Sequence, residues 1–187
     1  MKIETSKVTM LRITDVPRLD PIRVTLDNGE LGKGRITIEC YSKAWSSYWG
    51  AMADRSVEQF FVDCDNGYLI SNLAQGLDSS KFCGYQLEKD VTSKVLNMRR
   101  SRRITNEEAR DLYGRAIDLH YCNSLNEWFA HDTDLLITVY DSNEWWYPAG
   151  EAAAIPNPEY THLERICDAV REALIHHIAK QEPPTAH

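Results

Sequence analysis

The sequence has no apolar run approaching the roughly 20 residues that a helix needs to cross a bilayer. Nor does its N-terminus carry a basic stretch followed by an apolar one, as a secretory signal would. No membrane partner is expected, and the workplace implied is the cytoplasm. Cysteine is sparse: the five, at 40, 64, 83, 122 and 167, are odd in number and include no CxxC pair. That pattern fits buried reduced thiols better than a disulfide framework or a zinc site. Signatures of catalysis are missing too, since there is no GxSxG, no Walker-type loop, no HExxH and no GxGxxG opening a helix. Cys64 has no orienting group near it in sequence. His120 and His131 with Cys122, Asp132 and Asp134 lack the usual spacing of a metal site. The chain is read as non-enzymatic, with no cofactor and no metal; an enzyme acting on a nucleotide or modified base would need a site assembled in space.

Basic charge is scarce in the last third. Residues 1 to 115 hold 18 Lys+Arg and 16 Asp+Glu, net +2, whereas residues 116 to 187 hold 3 and 12, net −9, which together recover the overall −7. An acidic third of this kind can imitate nucleic-acid phosphates or dock on a basic protein groove, although many acidic solvated faces do neither. At 187 residues with 43% hydrophobic content, the chain is long enough for one substantial core. A single globular domain over 1–187 is expected, with a frayed tail from Glu182. Nothing in the sequence sets an oligomeric state.

The fold class expected is α+β, an antiparallel sheet of about four strands with helices mainly on one face. Strands are placed near 7–14, 21–26, 35–41 and 134–140. In the third, Ile36, Ile38 and Cys40 alternate with Arg35, Thr37 and Glu39, the period of two that makes one dry and one wet face. Tyr41, Trp45, Tyr48 and Trp49 then fall at helical spacing ended by Gly50, followed by a helix capped by Asp54 or Ser56 and a turn at Asp65-Asn66-Gly67. Residues 85–103 and a helix begun by the capping box Thr105-x-x-Glu108 predict a helical hairpin. A short helix carries Leu125, Trp128 and Phe129. DLLITVY at 134–140, apolar on both faces, reads as an interior strand. Residues 141–150 read as a loop, and Asn157-Pro158 opens a long helix to about Lys180.

Two surface features remain. The run Arg99, Arg100, Arg102 and Arg103 offers guanidinium forks for phosphate or carboxylate, against the plainer reading that it complements a helix C-terminus and is neutralised by Glu107, Glu108 and Asp111. Trp145, Trp146 and Tyr147, with Asp141 and Glu144 as an acidic rim, form either a protein-binding patch or a loop that caps its own core. The aromatics of 41–49 are assigned to the core and not to a stacking platform, because they recur beside aliphatic residues with only Lys43 between them.

ITDVPRLDPIRV (13–24), GKGRITIECYSKAWSSYWGAM (32–52) and VEQFFVDCDNGYLISNL (57–73) resemble a group of small proteins of enterobacterial tailed phages and prophages. The resemblance covers about the first 75 residues, and Ala53-Asp54 departs from it where a glycine-rich turn is expected. It carries no catalytic motif and implies a phage origin and a bacterial cytoplasm. Two functions from different classes follow. One is an interaction protein that binds and inhibits a bacterial host protein, such as a nucleic-acid-binding defence complex of the CRISPR type, through Asp141, Glu144, Trp145, Trp146 and Tyr147. The other is an accessory protein of phage replication or recombination that grips nucleic acid through Arg99, Arg100, Arg102 and Arg103. Arginines beside exposed aromatics would favour nucleic acid, and an acidic surface beside the tryptophans would favour a basic protein groove.

Overall fold

The computed structural model describes residues 1–3, 5–129 and 132–181. The tail from Glu182 and His131 lie outside the described residues. The fold is α+β. Its antiparallel sheet runs β1 (Thr9–Ile13), β2 (Ile22–Glu30), β3 (Lys33–Cys40) and β4 (Lys43–Trp49), paired in sequence order. Along the chain follow α1 (Val57–Asp63), α2 (Asn66–Leu73), β5 (Ser80–Phe82), α3 (Gly84–Arg100) and α4 (Asn106–Ala116). Then come a 3₁₀ turn (Ile117–Tyr121), α5 (Leu125–Phe129), α6 (Thr133–Tyr140), α7 (Trp146–Ala153), β6 (Ala154–Pro156) and α8 (Pro158–Gln181). Where the sequence reading treats the chain as one domain, its contacts gather into two compact units. The first is Met1–Leu77 with the segment from Pro158, and the second is Asp78–Asn157.

In the first unit the alternation on β2 and β3 becomes the two faces of the sheet. Ile22, Val24, Leu26, Ile36 and Ile38 are fully buried, each worth about 1.5–3 kcal/mol relative to exposure. They form one core with Phe61 of α1, Leu69 and Ile70 of α2 and Leu163, Ile166 and Val170 of α8. The opposite face carries Arg23, Thr25, Arg35, Thr37 and Glu39. Ser56 caps α1 in a reciprocal box with Gln59, and Asp65, expected only to begin a turn, caps α2 by accepting from the Tyr68 N–H. Ala53 sits at φ +54°, in the left-handed region where glycine costs least and where the sequence reading expects glycine.

Two stretches exchange their expected structures. Residues 41–49, read as a helix, are the turn and strand of a hairpin in which Cys40 pairs with Lys43. Trp45, Ser47 and Trp49 also alternate, so the same residues satisfy a period of two. Pairing gives the outer edge of β3 its backbone partners and turns Trp49 inward, 5.3 Å from the ring of Phe60. Residues 134–140, read as a strand, are α6. The Asp132 side chain accepts from the Leu135 N–H to start it, and Leu135, Leu136 and Val139 lie on its buried side. An apolar run of this length does not separate strand from helix by periodicity, and here the cap decides. The expected loop 141–150 is a turn followed by α7, whose Pro148 falls in the first turn where its missing N–H costs nothing.

The second unit is helical, with its two ends joined by β5 and β6. Asn157 adds bonds of 2.9 Å to the carbonyls of Asp78 and Ser79. The hairpin of α3 and α4 is present, and Thr105 and Glu108 cap α4 reciprocally as the sequence predicts. Its core joins Leu87, Val91 and Val95 to Leu112, Leu135 and Trp145. At the start of α3, Gly84 lies so close to the 3₁₀ turn that an added Cβ would stand 2.3 Å from the Leu119 carbonyl oxygen.

Candidate functional site

Within the second unit, α4 and α6 run antiparallel with an ion pair at each end. Arg115, in the last turn of α4, grips Asp132 at the start of α6 in bidentate fashion, Nε to Oδ2 at 2.7 Å and Nη2 to Oδ1 at 2.5 Å. Arg103, just before α4, reaches Asp141 at the end of α6 at 3.1 Å. Between the helices lies a hollow of about 450 Å³, with Ile104 and Leu112 as apolar lining and Glu107, Glu108 and Asp111 as carboxylates. A second hollow of about 560 Å³ is lined by Asp118, Tyr121, Cys122, Glu127, Trp128 and Asp132.

Arg115 is the cation among these carboxylates. It also meets Asp111 at 3.2 Å and Asp134 at 3.4 Å. Its hydrogen bonds, with the Leu135 N–H, hold the Asp132 carboxyl below the usual carboxylate range, and Asp132 in turn raises Arg115. Asp132 is therefore committed to the fold, as is Glu108, whose carboxylate accepts from the Thr105 N–H at 2.7 Å. Glu107 and Asp118 are different: their carboxylates make no hydrogen bond or ion pair among the described residues. The surface is thus acidic, hollowed and partly apolar, suited to a cationic group on an aliphatic stem. In the sequence this group shows only as Asp111 and Arg115 at the i, i+4 spacing that marks a helical ion pair.

The sequence-predicted residues divide. Trp145 is 2% exposed and belongs to the core, whereas Trp146 and Tyr147 are 37% and 66% exposed, with ring centroids 5.8 Å apart. Asp141 is tied to Arg103, and the Glu144 N–H is held by Ser142 Oγ at 3.0 Å. Among the arginines, Arg99 donates through Nε to Asn106 Oδ1. Arg100 and Arg102 make no side-chain hydrogen bond or ion pair among the described residues. The structure brings one arginine of the run to the tryptophan segment and puts the acidic hollows on helices that the sequence reading had not linked.

A family model described as "Phage family" matches residues 1–176. The chain belongs to this phage protein family. The match runs through both units, well past the first 75 or so residues on which the resemblance rests. No curated protein and no solved structure matches the chain.

No described helix of the phage protein is long and apolar enough to cross a membrane. Its five cysteines are free thiols. Burial raises the thiol pKa of Cys40, Cys64 and Cys122, and pushes Cys167 up to about 12, which keeps these sulfurs protonated and poorly nucleophilic. His120 Nδ1 lies 2.9 Å from Glu88 Oε2, with Tyr85 and Tyr121 against its ring. Among the described residues no group of three His, Cys, Asp or Glu side chains is arranged to hold a metal ion.

Proposed function

We propose that this phage protein is a non-enzymatic interaction protein that binds and inhibits a bacterial host defence component, in the manner of an anti-CRISPR protein, inside the host cytoplasm. The observation that carries this reading is the acidic surface on α4, the 3₁₀ turn and the start of α6. Two hollows there contribute three carboxylates each, against Arg115. Defence complexes that handle nucleic acid need basic grooves, and carboxylates spaced over a rigid helical unit complement such a groove while competing with phosphate. Trp146, Tyr147 and Glu144 extend the contact as aromatic anchors with an acidic neighbour. Membership of a phage family supports a bacterial host as the setting of this contact.

The test uses the tagged full-length protein, captured from a nuclease-treated bacterial lysate and analysed by mass spectrometry, with plaque formation on defended strains as the functional readout. Glu107→Gln with Asp118→Asn removes two charges that make no hydrogen bond or ion pair among the described residues. A stoichiometric host partner and protection of phage, both weakened in this variant, are expected. Absence of any partner together with no protection in any defended strain would reject the reading.

A further inference from the structure

The junction of α3 and α4 contains four arginines, and the fold occupies two. Arg99 holds Asn106, and Arg103 holds Asp141. Arg100 and Arg102 are exposed and unpartnered among the described residues. The backbone around them is specific. The Arg103 N–H donates to the Met98 carbonyl at 2.9 Å and the Arg102 N–H to the Arg99 carbonyl at 3.2 Å. These are the two bonds that close a helix around a left-handed residue. That residue is Arg102, at φ +59°. Glycine would occupy this position without a Cβ clash. The sequence instead places there an exposed cation whose guanidinium makes no hydrogen bond or ion pair among the described residues.

The segment that follows α6 carries aromatic rings. The Arg103–Asp141 bridge fixes the end of α6 beside the junction. The Ser142 N–H closes the end of α6 on the Ile137 carbonyl, and a tight turn from the Tyr147 N–H to the Glu144 carbonyl follows. Trp146 and Tyr147 are both exposed at its end. Free guanidinium forks that match phosphate, with sequence-tolerant π-faces close by, are what a single strand of nucleic acid engages. A folded acidic protein would use the cations but would have less use for the rings.

We propose that Arg100 and Arg102 grip neighbouring phosphates of a single-stranded nucleic acid while Trp146 and Tyr147 stack its bases. This contact uses none of the carboxylates on α4, but it shares Trp146 and Tyr147 with the proposed host contact, so the two ligands would compete for the rings. Glu144 opposes strand binding, and so does the net charge of −7, so binding is modest and visible at low salt.

The test is fluorescence anisotropy of end-labelled single-stranded DNA, single-stranded RNA and duplex DNA with the full chain and its R102G, R100A and E144Q variants. With two phosphate contacts, single-strand affinity should fall about sevenfold between about 50 and 200 mM salt. R102G should reduce that fall to under about threefold while its melting temperature stays level or rises, and E144Q should bind more tightly. R100A, inside the last turn of α3, repeats the loss without altering the left-handed residue. No binding to any strand, wild-type affinity in both arginine variants, or tighter binding to duplex than to single strands would each overturn the proposal. So would displacement of the strand by polyglutamate with the same dependence on Arg102, which would assign the corner to an acidic protein.

Discussion

Arg103 Nη2 donates to Asp141 Oδ2 across 3.1 Å, joining the residue that follows the left-handed turn after α3 to the residue that ends α6. Both side chains are more than half exposed, at 56% and 81%, so the bridge contributes at most about 1 kcal/mol. Asp141 itself is left-handed, at φ +53°. Asp141→Gly loses the bridge and relieves the backbone by a similar amount, so its urea midpoint should stay within about 1 kcal/mol of the wild type.

Arg102→Gly should increase stability by about 1 kcal/mol, because the left-handed position no longer carries a Cβ and no hydrogen bond or ion pair among the described residues is lost. Chemical denaturation reads this directly. A decrease would show that the Arg102 side chain supports the fold after all.

Asp132 caps α6 and pairs with Arg115. Replacing it with alanine should cost about 1–2 kcal/mol from the cap alone. The folded carboxyl titrates below its unfolded value of about 3.9. Its contribution is therefore complete above that pH and is lost as pH falls through the folded value. In Asp132→Ala, stability should decline less steeply than in wild type as the medium is acidified below about pH 4.

Trp145 and Tyr147 are two residues apart and serve different ends. Trp145→Ala empties a core position and should cost about 3–5 kcal/mol. Tyr147→Ala should stay within about 0.5 kcal/mol of wild type. A large loss for Tyr147→Ala would place its ring in the core of the second unit.

Gly84 and Gly114 should respond in opposite directions. A Cβ at Gly84 would approach the carbonyl oxygens of Leu119 at 2.3 Å, Cys122 at 2.5 Å and His120 at 2.9 Å, all backbone atoms that cannot turn aside. Gly84→Ala should therefore cost about 1–3 kcal/mol. At Gly114, inside α4, an added Cβ meets nothing within 4 Å, and alanine should stabilise by up to about 1 kcal/mol. Thermal melts of the two variants check both signs.

What the sequence by itself determined about this protein is local. The caps at Ser56 and Thr105 are set by a side-chain oxygen reaching an N–H three residues on, and the faces of β2 and β3 by strict alternation over one strand. Such signals need no knowledge of distant residues. What only the tertiary structure decided is every choice between two periods that fit equally well. Lys43–Trp49 matches both a helix face and a strand face, and the unpaired edge of β3 settles it. Thr133–Tyr140 is too short and too uniformly apolar to show a period, and its helix is settled by the Asp132 cap and by burial against the second core. The acidic surface was equally hidden, because Asp111, Arg115 and Asp132 become one group only when α4 and α6 are brought side by side. A charge count can locate the acidic third of the chain, but the ion pairs that separate its structural carboxylates from its free ones exist only in three dimensions.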